Sequence, residues 1–518
     1  MIQSNLKFAL ACCMVIFCLG KLCPAAKSSS RFKELLIPID LYAVPNGIKR
    51  TMKIKDLYKA IADQGIVIKI AKKDFMGADI KYTKVQMSFY PTPTLSTGAT
   101  YSQSSSSGVK TFKQIYTLGN TIEVDSPWGA KLTLDLPKIQ KESSSGGTTN
   151  TVEHSVTLGT NLTIKLLKGA PYITGDITQT EAGIDLKLAR LTLKTTALST
   201  LKSGEDAFYD VLLKRLRVKV LALALESSKA LLSDINAMYK AGEGDKLSII
   251  KVQLQVAQTE TDLLSGQAEA ETAMQTLRDV ISLNEEGAAI FPDPTEIKSA
   301  PALPDLGLSN NIKKAKRNRP DYQSAILNLK KASLSERKAK SDTLPQVDLI
   351  MGYGYVGKDA SFSGAFSSPT LFRDPTYTIG VSLTYPLWNN TAFQDHTTAK
   401  LETQKKELGI RQLNSQVAKE ISSALNSVDL GYRRLKTSEL AKSLSEQKLA
   451  AEFEKFRVGE SSIRNIVDFQ TEVNNARISE LSARVDYLRS ISALRNALGV
   501  YPPSIAAAEF TDVLEGDV

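Results

Sequence analysis

The sequence predicts a mainly α-helical chain with a β part, built as two tandem copies of one unit: strand, strand, long helical hairpin. Three observations predict it. First, Tyr239 to Leu283 occurs again, without a gap, as Phe456 to Val500 after a shift of 217 residues. Tyr239-Lys240-Ala241-Gly242-Glu243 falls on Phe456-Arg457-Val458-Gly459-Glu460, Gln253 on Gln470, Val256 on Val473, and Leu277-Arg278 on Leu494-Arg495. A repeat in such register decides architecture ahead of any local feature. Second, each hairpin is preceded by two runs that alternate apolar with small polar residues. Third, no proline interrupts Trp388 to Val500.

In chain order, Lys7, an apolar run from Phe8 to Gly20 and Pro24-Ala25-Ala26 read as a secretory signal peptide, residues 1–26. A membrane anchor would need ~20 apolar residues, more than this run holds. Cys23 near the cut raises lipidation as an option, although Leu22 before it is larger than lipoprotein processing usually takes. All four cysteines (Cys12, Cys13, Cys18, Cys23) lie in this segment, so the mature chain has no disulfide framework. His154 and His396 are the two histidines, far apart and without a carboxylate cluster. No metal spacing, nucleophile motif or glycine-rich phosphate loop stands out. The expectation is no enzyme, no cofactor and no metal. The net charge of +10 is spread along the chain, as on solvated helix faces, rather than gathered into a nucleic-acid tract. No later apolar run suits a spanning helix, so any crossing of a membrane falls to strands.

From Ile48 to about Tyr90 the pattern is helical, and Pro91 and Pro93 break it. Leu95, Thr97, Ala99 and Tyr101 then alternate with Thr94, Ser96, Gly98 and Thr100, a strand over about 93–102. Serine-rich segments at Ser102–Ser107 and Ser143–Gly147 bracket the β-prone Thr111 to Leu136 and read as loops around an extra hairpin. Leu158, Leu162, Ile164 and Leu166 mark a second strand over about 156–167. The other half has strands over about 346–356 and 377–388, and Pro345, Leu349, Gly352 and Tyr355 match Pro91, Leu95, Gly98 and Tyr101. Alternation of this kind suits an antiparallel sheet on a core. It suits equally a transmembrane barrel, apolar to lipid and polar to a lumen, with Tyr355, Tyr385 and Trp388 near strand ends as interface aromatics.

Ile410, Leu413, Val417, Ile421, Leu425, Val428, Tyr432 and Leu435 step by three or four, the stripe of an amphipathic helix. It runs to about Phe456; a helix of about 60 residues is on the order of 90 Å long. After Gly459 the stripe resumes with Ile466, Val473, Leu481, Val485, Leu488, Ile491, Leu494 and Leu498. The first half repeats this from about Glu181 to Met238 with Gly242 as the break. Glycine followed by Glu, Ser or Asp supplies a helix stop and a new start, so each tract is an antiparallel hairpin. The expected organisation is therefore a first repeat over 27–283, an irregular linker over 284–313, a second repeat over 314–500 and a tail over 501–518.

Strand, strand and hairpin twice behind a signal peptide resembles the outer-membrane efflux protein family, the TolC-like channels. The closest local likeness is Phe456-Arg457-Val458-Gly459, then Ile463, Ile466-Val467 and Asp468, ending at Ala497-Leu498-Gly499. Asn318-Arg319-Pro320-Asp321, Leu344-Pro345 and Tyr385-Pro386-Leu387-Trp388 are similar too. The resemblance implies a homotrimer in which each chain gives four strands to a shared 12-stranded barrel and two hairpins to a helical tunnel. It implies a place in the outer membrane, reaching into the periplasm. It also implies a passive exit duct for efflux or type I secretion, opened by a periplasmic adaptor protein and an inner-membrane transporter. The hairpin tips, Ala241 with Gly242 and Val458 with Gly459, would meet the adaptor. The family narrows its closed tip with aspartates at two positions that are Asn465 and Asp468 in this chain, so one charged ring is expected here rather than two. The first tip, Gly242 to Lys246, is looser and more charged, and Ser102 to Ser155 is far longer than its counterpart Val356 to Thr376, implying larger external loops. The alternatives are a periplasmic adaptor, which would carry one hairpin between small β-domains, and a long-hairpin envelope scaffold, which needs no strands with a polar face.

Overall fold

The computed structural model describes residues 51–106, 109–126, 129–146, 149–170, 176–240, 245–282, 291–293, 295–298, 301–367, 375–457 and 460–501. The segment expected to be a signal peptide, the expected tip residues Ala241, Gly242, Val458 and Gly459, and the tail from 502 lie outside them. Two short strands, β1 (Thr51–Met52) and β6 (Phe291–Pro292), pair in parallel. Helices α1 (Ile54–Gln64) and α2 (Ile66–Met87) follow, divided at Gly65, so the helical stretch expected from Ile48 to Tyr90 is two helices rather than one.

Helix α3 (Ile177–Lys240) has 64 residues and α9 (Asn390–Arg457) has 68, each about 100 Å long at ~1.5 Å per residue. Their return arms, α4 (Lys246–Ile281) and α10 (Ile463–Ala497), have 36 and 35 residues and cover only the tip-side half. The sheet-side half of α3 is packed by α2, and that of α9 by α7 (Pro320–Asp342). Each long helix is thus accompanied along most of its length by two shorter ones. On α9 this still leaves Phe393, Leu401, Leu408, Leu430, Leu440 and Leu444 exposed.

The stripe on α9 buries Val417, Ile421, Leu425, Val428 and Leu435 against Tyr487 and Leu494 of α10 and Ala315 of α6 (Leu308–Asn318). Helix α6 begins inside the segment expected to be linker, because Asn311 and Ala315 face this core once the chain is folded. The remaining linker holds β6 and the one-turn α5 (Thr295–Lys298). Pro320 starts α7, where its missing N–H costs nothing. Among the described residues no helix is long and apolar enough to cross a membrane.

The β part differs from the expectation of four strands. It is one sheet of six, ordered β2 (Thr92–Ser106), β3 (Val109–Asp125), β4 (Ala130–Gly146), β5 (Thr149–Lys165), β7 (Gln346–Asp359) and β8 (Thr376–Thr384). Neighbours are antiparallel throughout. The segment between the two expected strands of the first half is therefore not an external loop with a small hairpin. It extends β2 to Ser106, starts β5 at Thr149 and adds two full strands between them. Serine-rich composition reads as loop by default, but here strand ladders take up the backbone: Ser104 on the edge strand β2 is opposite Thr111 on its one paired side, and Ser143 is opposite Gln114 on one side and Val152 on the other. In the second half, α8 (Phe362–Ser367) lies between β7 and β8 and packs Ala365 on Val156, Ile139 and Tyr355.

Candidate functional site

The sheet has two chemically distinct faces, because period-two alternation stays in phase across all six strands. One face is apolar. Val124 of β3 is opposite Leu132 of β4, which is opposite Leu162 of β5, then Met351 of β7 and Ile379 of β8. A second row runs Ile122, Leu134, Thr160, Tyr353 and Tyr377. At β8 the face is open, with Ile379 81% exposed and Tyr377 70%, while α8 covers its far end at Val156, Ile139 and Tyr355. An apolar surface of this extent on one chain needs a covering, by lipid or by protein.

The other face is polar and small, with Gly119 opposite Ser96, Gly159 opposite Gly354, and Asn161 opposite Gly352. Its charges are paired across strands: Lys113 with Glu142 at 2.7 Å, Lys131 with Glu123 at 3.0 Å, and Lys358 with Glu153 at 2.9 Å. Asn161 donates to Asp135 at 3.2 Å. A face of this kind favours water and solutes over lipid.

Of the three aromatics expected at a membrane interface, Tyr355 lies on the apolar face and its hydroxyl meets that of Tyr353. Tyr353 and Tyr377 also meet, with ring centroids 5.2 Å apart and planes tilted by 51°, so a three-tyrosine cluster stands where the sequence pointed to one residue. Tyr385 and Trp388 follow the end of β8 on the helix side, and Trp388 is 85% exposed.

At the far end of the hairpins, Leu231 and Ile235 of α3, Val252 of α4 and Ile466 of α10 form one buried cluster, flanked by Phe453 and Phe456 of α9. All four arms share it. Gln470 donates to the Ser227 hydroxyl at 3.2 Å, linking the second hairpin to the first. The tip residues beyond this cluster fall outside the described set, but both hairpins bring their ends to one place.

Asn465 and Asp468, the two expected gate positions, have different surroundings. The Asn465 amide donates to Glu452 at 3.1 Å, and the Ser461 hydroxyl donates to the same carboxylate oxygen at 2.5 Å. This clasp ties α10 to α9 across the turn. The hydrogen bond from Ser461, with that from Asn465, holds the Glu452 carboxyl below its ordinary value. An aspartate at 465 would place a second carboxylate against Glu452, which explains in physical terms why a donor stands there. Asp468 is exposed, with Arg464 one turn before it at 3.8 Å, a loose surface pair of small worth.

Two consequences follow for the tip. A depressed carboxyl stabilises above its unfolded value and loses that stabilisation as pH falls through the folded one; the Glu452 clasp is therefore intact at neutral pH and opens in acid, below about 4.5. Asn465→Asp should make proteolytic nicking of the tip several-fold faster at pH 7.5, with partial recovery near pH 5 as the carboxylate pair takes up a proton. Equal nicking of both proteins at pH 7.5 would remove the clasp from the account. Nothing in the sequence marked Glu452, because a glutamate beside Lys448 and Lys455 on a long helix reads as a solvated face. Among the described residues, no group of three or more His, Cys, Asp or Glu is placed to hold a metal ion.

Residues 311–500 match the family described as "Outer membrane efflux protein". A Haemophilus influenzae protein is 23% identical over 279 residues, covering 50% of this chain and 55% of its own. The Pseudomonas aeruginosa pyoverdine export outer membrane protein OpmQ is 21% identical over 315 residues, 61% of this chain and 64% of its own. The chain thus matches somewhat over half the length of each of these two relatives. The open-state structure of the Neisseria gonorrhoeae MtrE outer membrane channel superposes with a TM-score of 0.63 at 16% identity, over 86% of this chain and 89% of that one.

Proposed function

We propose that this chain, whose residues 311–500 match the outer membrane efflux protein family, is the outer-membrane exit duct of a tripartite efflux pump or a type I secretion system. Three copies close their sheets into one barrel in the outer membrane, apolar face to lipid and polar face to the lumen. Their hairpins continue it as a tunnel through the periplasm. A periplasmic adaptor grips the tips around Ala241, Gly242, Val458 and Gly459, and an inner-membrane transporter supplies the energy. The duct itself performs no chemistry.

The observation that carries this reading is the two-faced sheet joined to paired hairpins that end together. A sheet laid on a core also keeps a polar face for water, but it covers its apolar face, and here that face is left exposed at β8. A soluble adaptor or scaffold would leave Ile379, Val381 and Leu383 against water. A sheet with two free edges is also an association surface, and closure with copies of itself removes those edges. In the trimer, Asp468 and Arg464 face the axis near the tip, so each carboxylate of the ring has a guanidinium within reach.

The test is the oligomeric mass of the mature protein in detergent, followed by single-channel recording in planar bilayers. A trimer with small conductance is expected. Asp468→Ala should leave an excess of Arg464 charge, weakening block by divalent cations several-fold and shifting selectivity towards anions. A monomer without channels would return the hairpins to a scaffold role. Unchanged block and selectivity in the Asp468→Ala trimer would remove this residue from the gate.

A further inference from the structure

The pair β3–β4 is the feature that the family's four-strand pattern does not absorb. Three arrangements are open to an inserted hairpin: a flap over the barrel mouth, a plug in the lumen, or two more staves of the wall. The strand pairing separates them. Strand β3 is laddered to β2 from Thr92–Glu123 to Ser106–Val109, and β4 is laddered to β5 from Ala130–Ile164 to Gly146–Thr149. Strands β2 and β5 do not touch as neighbours; the inserted pair stands between them. Neither flap nor plug has its partners on both sides.

The apolar bands agree in height. They run from Pro93 to Tyr101 on β2, Tyr116 to Val124 on β3, Val156 to Ile164 on β5 and Val347 to Tyr355 on β7. At ~3.3 Å per residue and a tilt of ~40°, each spans about 23 Å, close to the ~25 Å apolar belt of an outer-membrane barrel.

On β4 the band is Leu132, Leu134, Leu136 and Ile139, and it stays on one face only because the register shifts between Asp135 and Lys138. That bulge also houses Pro137, which lacks the N–H that an interior strand must donate. The polar side of the pair carries the cross-strand ions Lys113–Glu142 and Glu123–Lys131, as a lumen wall would. With six strands alternating in direction, the free edges β2 and β8 run opposite ways. The edge β8 of one copy can therefore pair antiparallel with β2 of the next.

We propose that β3 and β4 are staves of the wall and that three chains close an 18-stranded barrel, half as many strands again as the family's 12. This rests on the trimeric-duct reading above. With strands ~4.8 Å apart at ~40° tilt, 18 strands give a barrel about 36 Å across between backbones, against about 24 Å for 12. The outer mouth is then wider than that of a 12-stranded relative. Ser126 after β3 and Gly129 before β4, joined by the Gly129 amide donating to the Ser126 carbonyl at 2.9 Å, form part of its helix-side rim.

The closing experiment images the detergent-purified trimer by electron microscopy, beside a variant lacking residues 107–148. In that variant β2 and β5 still run antiparallel and can pair. The expected result is a barrel about 36 Å across in the full chain and about 24 Å in the deletion, both trimers. In parallel, single cysteines are probed in outer-membrane vesicles; the native cysteines lie at or before position 23, within the segment expected to be cleaved. Thr117→Cys and Thr133→Cys should react with a charged, water-soluble maleimide. Leu118→Cys and Leu134→Cys should react only with a lipid-soluble one. A full-length trimer about 24 Å across, or Leu118→Cys and Leu134→Cys as reactive to the charged reagent as the threonine pair, would overturn the proposal and leave the duct standing. A monomer would overturn the duct reading and this proposal together.

Discussion

Glu205→Ala is expected to lower stability by about 3–5 kcal/mol, the usual cost of breaking a buried charged network by removing one partner. Glu205 sits midway along α3 with 2% of its surface exposed. It accepts hydrogen bonds from the Tyr58 hydroxyl of α1 and the Ser492 hydroxyl of α10, and Arg495 of α10 lies 3.5 Å away. One carboxylate therefore joins α1, the first hairpin and the second. Burial, reinforced by the charge of Glu205, pushes the Tyr58 hydroxyl far up, and burial does the same at Tyr209, so both stay neutral at any working pH. Alanine leaves Tyr58 and Ser492 without acceptors and Arg495 without its counter-charge. The measurement is the denaturant midpoint of the purified protein by circular dichroism, with limited proteolysis reporting release of α1. Glu205→Gln keeps an acceptor and should lose roughly half as much. An unchanged midpoint for Glu205→Ala would show that the three elements are held by packing alone.

Gly499→Ala is expected to cost at least about 2 kcal/mol, from two separate causes. Gly499 has φ +67, a left-handed conformation that alanine resists, and it ends α10. An added Cβ would also lie 2.9 Å from the backbone N and Cα of Arg319, atoms that cannot swing aside. Arg319 is itself fixed: its guanidinium reaches Asp321 at 2.6 Å, Glu420 at 2.6 Å and the Ala497 carbonyl at 3.3 Å. The hydrogen bonds it donates to Asp321 and Glu420 raise its already high pKa. At Asp321 burial works upward, but Arg319 outweighs it and the carboxyl is held low. Asparagine tolerates a left-handed backbone yet carries a Cβ. If conformation alone mattered, Gly499→Asn would recover most of the loss; with the clash against Arg319 it should stay close to alanine. Thermal unfolding of the three proteins decides between these, and a wild-type melting curve for Gly499→Ala would refute both causes.

Much of this was readable in the residues. The stripe from Leu413 to Leu435 is the one that packs α9, with Val417, Ile421, Leu425, Val428 and Leu435 buried, because a helix's period of 3.6 is a local property that needs no partner to be seen. The expected extents of the long helices, Glu181 to Met238 and Trp388 to Phe456, lie close to the observed Ile177–Lys240 and Asn390–Arg457, because few local signals compete with a long uninterrupted stripe. Faces of strands were equally legible, since alternation places Leu349, Met351 and Tyr353 together whatever lies beside them.

What stands beside a strand was not legible. Alternation states which way side chains point and says nothing of which strand supplies the hydrogen bonds, so Thr111 to Leu136 read as an added hairpin and the serine runs as its loops. Only the ladder from β2 through β3 and β4 to β5 makes the sheet six strands wide. The same limit hid Glu205 and Glu452, each an ordinary charged residue until Tyr58 or Asn465 arrives from elsewhere in the chain, and it hid the contact of Arg319 with Gly499 although Arg319 itself stood in a recognisable motif. The sequence by itself determined the duplication, the helices and the two faces, because these repeat at short, fixed spacings. Tertiary structure alone decided the strand count, the buried carboxylate and the tip clasp, because each depends on contacts between residues that local periodicity does not relate.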